Sequence, residues 1–585
     1  MLKEEKNLLR YRRDIDGLRS IAVLSVIAYH FGFFPNGYLG VDIFFVISGF
    51  LITKILVREV SENRFSILQF YLRRTRRIIP LVLFVNFIAL AVGVFVMLPD
   101  DLENLSQSVV ATNLFGNNIL QLITTRNYWD VINDYKPLVH TWSLGVEEQF
   151  YVIYPLFFLA FGRKWAHLVS PLLFFLTLIS LFLFIFSSSD EASKFYLIQF
   201  RFFELSLGGL GAIVIKDNLF ESKYSILFLL VVVCIMLCDF HLSNTIKLCI
   251  TVSATLGVII SDNNKNKISS YILENKLMVG IGKISFSLYM WHQIVLAFSR
   301  YFILENVENP SLFQSIIIFI IIFLFSIFSY FVIEQPFRDL KRITTSVLLL
   351  ISAIMFIFTT SFSLILNFRS GVIRDVPELG IARSEIRSGL HSEYNSRIYE
   401  LNKNFSNNNK IKILIIGNSF ARDWANVLLE SDNKESLEIS YTDDIKNCKD
   451  INQRLYRAKY VFFSEIDSSY LNTVSQNYKI DPTKILVVGT KNFGKSNGIY
   501  YNRKDDYDYC FQRARMQKGF LELNTNLKNE LGDKYIDLIG MILNDEKTVP
   551  VFTSECKFIS SDGRHLTKFG ARYFSEILRC EKYMN

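Results

Sequence analysis

Long apolar segments with short polar stretches between them make up the first two-thirds of the chain, and the last of these segments ends near residue 366. A helix that crosses a lipid bilayer needs about 20 mostly apolar residues. By this criterion the pattern predicts eleven membrane spans. They lie near residues 16–32, 38–57, 78–98, 142–161, 166–187, 197–215, 222–240, 246–261, 279–299, 311–333 and 345–366. We therefore expect a polytopic helical bundle over residues 1–340, followed by a last span within 341–367.

A twelfth segment, 104–123, is apolar but carries several polar side chains and a glycine. These residues are Asn113, Gly116, Asn117 and Asn118. Irregular backbone at membrane depth is tolerated only where protein or water covers it. We interpret this segment as a re-entrant or interfacial piece, and the sequence does not decide whether it spans the membrane.

The pattern changes after the last apolar segment. Residues 368–410, which end in an Asn-rich stretch, are predicted to form a linker. From residue 411, short β-branched runs alternate with helical stretches, and the runs at 412–417, 460–465, 484–490 and 535–540 are typical of strands. The interval 411–585 is therefore predicted to be an α/β domain with a mostly parallel sheet.

The charge pattern predicts the orientation of the chain in the membrane. The sequence is 51% hydrophobic with a net charge of +8, and its positive residues cluster beside alternate apolar segments. Membrane topology explains this clustering without a nucleic-acid partner, because cytoplasmic loops are rich in Lys and Arg. The residues assigned to the cytoplasmic side are Arg10, Arg12, Arg13, Lys54, Arg58, Arg64, Arg73, Arg74, Arg76, Arg77, Arg163, Lys164, Lys265, Lys267, Lys276, Arg338, Lys341 and Arg342. An odd number of spans then places the C-terminal domain outside the cytoplasm, at a bacterial inner membrane.

Four of the seven cysteines, Cys448, Cys510, Cys556 and Cys580, fall in the domain predicted to lie outside. An oxidising compartment permits one or two disulfides there, and four cysteines allow three pairings. Free buried thiols are an equal alternative. The sequence does not choose between these possibilities.

Ionisable residues inside the predicted spans need a reason, because a charge at the centre of a bilayer costs about 2.5–3.5 kcal/mol or more. Arg19 and His30 bracket the first span, and their spacing places them on one helix face about 16 Å apart. Further motifs place charges in later spans. They are GYLGVDIFFVISGFLIT (37–53), FYLRRTRRIIP (70–80), HTWSLGVEEQFYVIYP (140–155), RFFELSLGGLGA (201–212), KISFSLYMWHQIV (283–295) and IEQPFR (333–338). Together they indicate a polar path through the bundle.

Over residues 11–340 these motifs resemble the acyltransferase-3 family of bacterial membrane acyltransferases. The resemblance implies an acyl-coenzyme A donor, expected to be acetyl-coenzyme A, that binds from the cytoplasmic side. Arg74 and Arg77 match the family's RxxR pattern, with Arg73 and Arg76 beside them, and arginines grip phosphate through forked hydrogen bonds.

The remaining membrane residues are interpreted as follows. His30 matches the functional histidine of the family, and Arg19 would orient it or the donor. Glu147 or Glu148 could hold a buried cation, and Glu147 is preferred. Glu204 is expected to pair with Arg201, three residues away on a helix. For His292, packing and participation in the pathway remain equal alternatives.

The C-terminal domain carries its own candidate chemistry. KILIIGNSFARDWANVLLE (412–430) predicts a strand, a tight turn with Ser419, and a helix. Near the C-terminus, Asp562 and His565 are three residues apart. The chain order Ser, Asp, His suits a hydroxyl nucleophile activated by a base that a carboxylate orients.

Residues 411–585 resemble the SGNH hydrolase and acyltransferase superfamily. The first block normally reads GDS, whereas here Asn418 replaces the aspartate. The resemblance makes Asn492, within VGTKNFG (488–494), an oxyanion-hole donor, while the glycine of the second block is not assigned. A substrate-binding domain that has lost catalysis is the alternative.

These observations together predict a membrane O-acetyltransferase that moves acetyl groups across the membrane onto a cell-envelope glycan. Lipopolysaccharide O-antigen or another surface polysaccharide is the first choice of acceptor, and peptidoglycan is the second. A secondary transporter with an accessory esterase domain, or a membrane-tethered esterase, is an alternative from another class. The expected partners are the acyl donor, the glycan and the lipid bilayer, with no metal; the oligomeric state is not predicted.

Overall fold

The computed structural model of the chain describes residues 11–124, 131–161, 168–214, 222–261, 267–302, 310–384, 390–464, 466–517 and 519–578. Five residues named above lie outside these ranges, namely Arg10, Arg163, Lys164, Lys265 and Cys580, as does Glu465, the last residue of the predicted strand 460–465. The chain divides into two compact units. The first comprises most of the apolar part up to Leu364, and the second comprises residues 94–103 and those from Ile365 onward.

Helices make up most of the described residues of the apolar part of the chain. Its helices are Arg13–His30 (α1), Gly40–Ser61 (α2), Ile67–Val96 (α3), Pro99–Asn113 (α4), Asn117–Thr124 (α5), Trp142–Phe161 (α6), Val169–Phe186 (α7), Glu191–Tyr196 (α8), Ile198–Val214 (α9), Ser222–Leu237 (α10), Asn244–Ile260 (α11), Lys267–Leu273 (α12), Lys276–Lys283 (α13), Ser285–Phe302 (α14), Leu312–Ser329 (α15), Gln335–Arg338 (α16) and Thr345–Phe368 (α17). Ten of the eleven predicted spans each overlap one of these helices, and the span 279–299 overlaps both α13 and α14.

Six helical stretches of the described residues are long and apolar enough to cross a membrane. They are Gly37–Ser61, Ile67–Val96, Val139–Phe161, Val169–Phe186, Leu312–Arg338 and Thr345–Phe368. One face of α7 leaves Phe174, Phe175, Ile179 and Phe182 exposed, as a face in contact with lipid would. The predicted helical membrane bundle is confirmed, while the number of eleven spans stays a prediction.

The first unit depends on close approach between α2 and α9. Gly49 and Gly208 lie where these helices meet: a Cβ on Gly49 would come within 1.7 Å of the carbonyl oxygen of Leu205. A Cβ on Gly208 would lie 2.1 Å from the carbonyl oxygen of Val46. Small residues at helix contacts allow backbones to pack directly in membrane proteins.

The asparagine-rich segment 104–123 is divided between α4 and α5, which are separated by residues 114–116. Asn113 accepts a hydrogen bond from Asn86 at 2.8 Å and donates to Thr359 at 3.0 Å. Asn117 donates to the carbonyl oxygen of Leu138 at 2.8 Å. Protein therefore covers these polar side chains, and whether the segment spans the membrane stays open.

The second unit contains a five-stranded parallel sheet. The strands are Ile411–Ile416 (β1), Leu437–Thr442 (β2), Tyr460–Ser464 (β3), Ile485–Val488 (β4) and Tyr535–Ile536 (β6), in the order β2-β1-β3-β4-β6. A separate antiparallel pair joins Arg513–Arg515 (β5) to Thr548–Pro550 (β7). The predicted parallel sheet is confirmed. The sequence analysis missed β2, whose alternation of polar and apolar residues (LEISYT) lacks a continuous β-branched run.

Helices of the second unit flank and connect its strands. They are Leu390–Tyr399 (α18), Ser419–Leu429 (α19), Ile451–Arg457 (α20), Ser468–Tyr478 (α21), Asn497–Tyr501 (α22), Phe520–Leu531 (α23) and Lys568–Ile577 (α24). Helix α18 lies in the segment predicted as a linker. Its Arg397 donates to Asn426 of α19 and pairs with Glu430, both at 2.9 Å. The described part of 390–410 therefore packs on the folded unit.

The second unit also contains a disulfide between Cys510 and Cys556. It closes a loop between residues 46 positions apart and joins segments on either side of β7. Cys448 is a free thiol. A disulfide is expected where the domain faces an oxidising compartment.

Substituting Gly49 with alanine tests the packing of α2 against α9. The added methyl group would meet backbone rather than a flexible side chain, so the helices must separate at a cost of about 1–3 kcal/mol. We expect Gly49→Ala to lower the amount of folded protein in isolated membranes, measured by size-exclusion chromatography in detergent. Gly280→Ala is the matched control, because its Cβ would meet open space. Equal yields for both variants would contradict the proposed role of this contact.

Candidate active sites

Ser419 is the first residue of α19, directly after β1 and a tight turn. Gly417 in this turn has φ of 137°, a conformation that favours glycine. A Cβ there would lie 2.7 Å from Oγ of Ser464, at the end of β3. The turn therefore needs glycine, and it places Ser419 at the carboxyl edge of the sheet, where ligands bind in open α/β folds.

Asn418 caps α19. Its Oδ1 accepts hydrogen bonds from the backbone amide of Phe420 at 2.9 Å and from Oγ of Ser464 at 3.1 Å. An aspartate carboxylate would accept the same two bonds, so asparagine keeps the capping function without a negative charge beside the serine. The departure from the GDS pattern is thus compatible with the local geometry.

Ser419, His565 and Asp562 form one hydrogen-bonded series. His565 Nε2 lies 2.8 Å from Oγ of Ser419, and His565 Nδ1 lies 2.7 Å from Oδ2 of Asp562. Since a carboxylate only accepts, Nδ1 carries the proton and Nε2 is left as the base for the serine hydroxyl. The structure brings together the three residues that the sequence analysis selected.

Asp562 is fixed by its own loop. Its Oδ1 accepts the backbone amides of Arg564 at 2.9 Å and of His565 at 2.8 Å. Desolvation opposes ionisation of this carboxyl group, but the hydrogen bonds from His565 and from these two amides outweigh it and hold its pKa well below the usual range. Asp562 therefore remains a carboxylate at any physiological pH.

Asn492 lies in the loop after β4, next to the loop that carries His565. The two loops touch through the amide of Phe493, which donates to the carbonyl oxygen of Gly563 at 2.7 Å. The Asn492 side chain is buried; its Oδ1 accepts the amides of Gly494 and Gln517. Its Nδ2 has no hydrogen-bond partner within the described part of the chain. A fixed, unused donor of this kind is available to a ligand, although the structure gives no contact between Asn492 and Ser419.

A buried ion pair, which the sequence analysis missed, lies beside these residues. Lys491 Nζ is 2.8 Å from Oδ2 of Asp423 and 3.5 Å from the ring centre of Phe420. The same Asp423 oxygen accepts the amide of Leu566 at 2.9 Å, next to His565. Asp423 lies one helical turn after Ser419, so the pair joins the serine helix to the loops of Asn492 and His565. The signal available in the sequence was an aspartate four residues after the serine.

Described residues of the first unit line three cavities that contain the predicted site residues. The histidine cavity, of about 400 Å³, is lined in part by His30, Asp42, His140, Arg201 and His292. The arginine cavity, of about 80 Å³, is lined in part by Arg19, Ser48, Arg74, Arg77 and Glu147. The charged cavity, of about 270 Å³, is lined in part by Asp16, Arg19, Lys283, Glu334 and Arg338.

The three cavities are neighbours in a row, because residues that line one cavity also line the next. Arg19 and Arg77 line both the charged and the arginine cavities, while Val41 and Tyr289 line both the arginine and the histidine cavities. His30 is the last residue of α1, and Arg19 lies near the middle of the helix, about 16 Å away along its axis. A discontinuous row of polar cavities therefore follows the length of the first helix.

The four arginines of the FYLRRTRRIIP motif differ in their surroundings. Arg74 and Arg77 line the arginine cavity, and Arg74 lies over the rings of Phe70 and Tyr151. Arg73 is exposed and pairs with Glu59 at 2.7 Å. Arg76 is buried and donates to the carbonyl oxygens of Phe337 and Ile343. The structure thus brings only one RxxR pair to the cavity.

The acidic residues of the predicted spans also differ in their surroundings. Glu147 lines the arginine cavity and accepts a hydrogen bond from Ser48 at 2.5 Å. Glu148 is buried and does not line that cavity. Arg201 pairs with Glu204 at 3.1 Å and with Asp42 at 2.5 Å. The expected Arg201–Glu204 pair is present, with Asp42 as a second partner.

The histidine cavity assembles three histidines from three helical segments. The ring centroids of His30 and His292 are 5.3 Å apart, and those of His140 and His292 are 5.1 Å apart. The sequence analysis did not single out His140, although it begins the HTWSLGVEEQFY motif. No group of three potential ligands suited to a metal ion occurs among the residues that the structure describes.

Comparison with known proteins identifies the family to which the helical part of the chain belongs. A family model described as an acyltransferase domain, acyltransferase-3, matches residues 12–335. The chain belongs to the acyltransferase-3 family. With its apolar helices, it is a multi-pass membrane protein of that family.

Two relatives that carry the name OatA are similar to part of the chain. The chain is 31% identical over 360 residues to the peptidoglycan O-acetyltransferase OatA of Listeria monocytogenes, which covers 57% of each chain. It is 30% identical over 351 residues to the O-acetyltransferase OatA of Staphylococcus aureus, covering 56% of this chain and 57% of that one. The match thus spans little more than half the length of these curated relatives. No solved structure matches the chain.

The Lys491–Asp423 pair gives a prediction about stability. Asp423→Ala would leave a buried ammonium group without its partner, which costs about 3–5 kcal/mol. We expect a clearly lower Tm of the second unit, measured by thermal denaturation of the purified full-length chain. The double variant Asp423→Leu with Lys491→Met should recover most of the loss, because it buries no charge. As a control, Lys528→Ala removes a largely exposed partner of Asp537 and should leave Tm nearly unchanged. A small effect of Asp423→Ala would show that the pair does not stabilise the site.

Proposed function

We propose that the chain is a membrane O-acetyltransferase that passes acetyl groups from cytoplasmic acetyl-coenzyme A to hydroxyl groups of a cell-envelope glycan. The observation that carries the proposal is the Ser419–His565–Asp562 arrangement, with contacts of 2.8 and 2.7 Å, in a chain of the acyltransferase-3 family. The serine provides an acyl acceptor, and family membership indicates which group it accepts.

In the second unit, the proposed reaction is transfer through an acyl-serine. His565 removes the proton of Ser419 while the hydroxyl oxygen attacks the acyl carbonyl carbon, and Asp562 keeps the imidazole oriented. The bond from that carbon to the group that carried the acyl then breaks, and His565 gives the proton to this leaving group. The free Nδ2 of Asn492 and the amides at the start of α19 would stabilise the oxyanion. A sugar hydroxyl then attacks the acyl carbon and gives its proton to His565. The bond from this carbon to Oγ of Ser419 breaks, His565 returns the proton to the serine oxygen, and the sugar leaves as the acetyl ester. The unit is proposed to be an SGNH-type domain.

In the first unit, the proposed role is binding of the donor and export of its acyl group. Arg74, Arg77 and Arg19 meet at the arginine cavity, where guanidinium groups can hold the phosphates of a coenzyme A thioester. Glu147 would balance this positive charge. His30, about 16 Å further along α1, would accept the acyl group or take part in proton transfer.

The proposed placement is the bacterial inner membrane, with the N-terminus in the cytoplasm and the second unit outside. The positive residues beside alternate apolar segments support it, and a disulfide in the second unit fits an oxidising compartment. Under this placement the donor and the serine occupy different compartments, so the acyl group has to cross the membrane unit.

Two classes of glycan are candidates for the acceptor. Lipopolysaccharide or another surface polysaccharide was the first expectation, yet one named relative is a peptidoglycan O-acetyltransferase. Peptidoglycan is therefore at least an equal candidate for this chain. Mass spectrometry of both glycan fractions from cells with and without the chain distinguishes them, because one acetyl group adds about 42 daltons to the acceptor in an acyl transfer.

Loss of the serine hydroxyl tests the second unit. Ser419→Ala removes the nucleophile and should reduce glycan O-acetylation to the level of cells without the chain, measured as ester-bound acetate on purified glycan. Ser436→Ala, at an exposed serine of the same unit, should have no effect. Unchanged ester content in Ser419→Ala would remove the serine from the reaction.

Arg77→Ala tests donor binding in the first unit. Loss of one charge-assisted contact to phosphate should weaken binding by about 10- to 100-fold, seen as a higher KM for acetyl-coenzyme A in membranes that hold the full chain. Arg64→Ala is the control, because Arg64 is exposed and pairs with Glu62 outside the cavities. An unchanged KM in Arg77→Ala would show that the arginine cavity does not hold the donor.

A further inference from the structure

The ring of His292 has a fixed tautomer. Its Nδ1 lies 2.5 Å from the backbone carbonyl oxygen of Tyr289, one turn earlier in α14. A carbonyl oxygen can only accept a hydrogen bond, so Nδ1 carries the ring proton. In the neutral ring, the lone pair that can accept a proton is then on Nε2.

This basic nitrogen is buried and unused. His292 has no exposed surface, it lines the histidine cavity, and its Nε2 has no hydrogen-bond partner among the described residues. A buried polar atom without a partner costs about 1–3 kcal/mol, so one that persists beside a cavity indicates an interaction with something that enters it.

Two histidines neighbour His292 in the cavity, His140 at 5.1 Å between ring centroids and His30, which the proposed function makes the acyl acceptor. The ring centroids of His30 and His292 lie 5.3 Å apart, and the rings are inclined by 41°. A modest rotation of the His30 ring could bring one of its nitrogens into contact with Nε2 of His292, and catalytic hydrogen bonds often tighten only when substrate binds. Two neighbouring imidazoles in an apolar bundle do not both carry charge, so a proton on one leaves the other neutral.

We propose that His292 is the proton acceptor for His30 in the first transfer of the acyl group, an inference that rests on the proposed function. One nitrogen of His30 attacks the carbonyl carbon of the acyl thioester. The new N–C bond forms, the C–S bond breaks, and the coenzyme leaves as a thiolate. The proton on the other nitrogen of His30 passes to Nε2 of His292 and then to the thiolate. The products are neutral acyl-His30, neutral His292 and the free thiol.

The orientation of His292 suggests a sharp pair of variants. Asparagine places an amide nitrogen near the position of Nδ1, so His292→Asn can keep the hydrogen bond to Tyr289 while it removes the base. His292→Ala leaves a hole beside the histidine cavity that free imidazole can enter. His241→Asn is the matched control, because His241 is exposed and lies outside all three cavities.

The measurement is release of free thiol from acetyl-coenzyme A by membranes that hold equal amounts of each full-length variant. We expect His292→Asn to lower the rate by about 100-fold or more, as loss of a general base does, and His241→Asn to leave it unchanged. Added imidazole should raise the rate of His292→Ala several-fold and should not affect His292→Asn.

Two results would overturn the inference: a rate for His292→Asn within about threefold of the unsubstituted chain, which is far below the effect of a lost base, or no response of His292→Ala to imidazole. His30→Ala separates this inference from the function on which it rests. If His30→Ala is inactive while His292→Asn is active, only the role of His292 fails. If His30→Ala keeps full activity, the proposed membrane pathway itself is wrong.

Discussion

Burial of charge among apolar helices is the constraint on which the first unit depends. A charge at membrane depth is tolerated when it is paired or borders a polar space, and both solutions occur here. Arg201 is paired with Asp42 and Glu204. Arg74 and Arg77 instead border a cavity, with Arg74 over two aromatic rings. The arginines that border a cavity can bind an anion, whereas Arg201, paired with two carboxylates, holds helices of the bundle together.

The second unit meets the same constraint on a smaller scale. Its catalytic candidates are polar groups at the edge of an apolar sheet, and Asn418, Asp562 and Asn492 each accept a hydrogen bond from a backbone amide of their own helix or loop. The buried Lys491–Asp423 pair connects these loops, because Asp423 also binds the amide beside His565. Geometry within about half an ångström depends on such supporting contacts.

The sequence predicted the elements whose signal is local. Ser419, Asp562 and His565 could be chosen because a strand–turn–helix pattern and a carboxylate three residues from a histidine are readable in short windows. Strand β2 was missed since Glu438 and Ser440 interrupt its apolar run. His140 and Lys491 were missed for another reason: their roles depend on neighbours at least 68 positions away along the chain, as in the 5.1 Å approach of His140 to His292 and the 2.8 Å pair of Lys491 with Asp423. Tertiary contacts of this kind leave no local pattern.

The proposed division of labour between the two units follows from the charge of the donor. Coenzyme A carries several phosphate charges, and moving them through an apolar bundle would cost far more than moving an uncharged acetyl group. The arginine cavity, beside the middle of α1, can hold the charged part of the donor, while an acyl-imidazole formed on His30 at the end of the helix is neutral. A serine with its own base in a separate unit then completes the transfer to a sugar hydroxyl. Under this proposal the row of cavities conducts only the acyl group, and the phosphates stay where the arginines are.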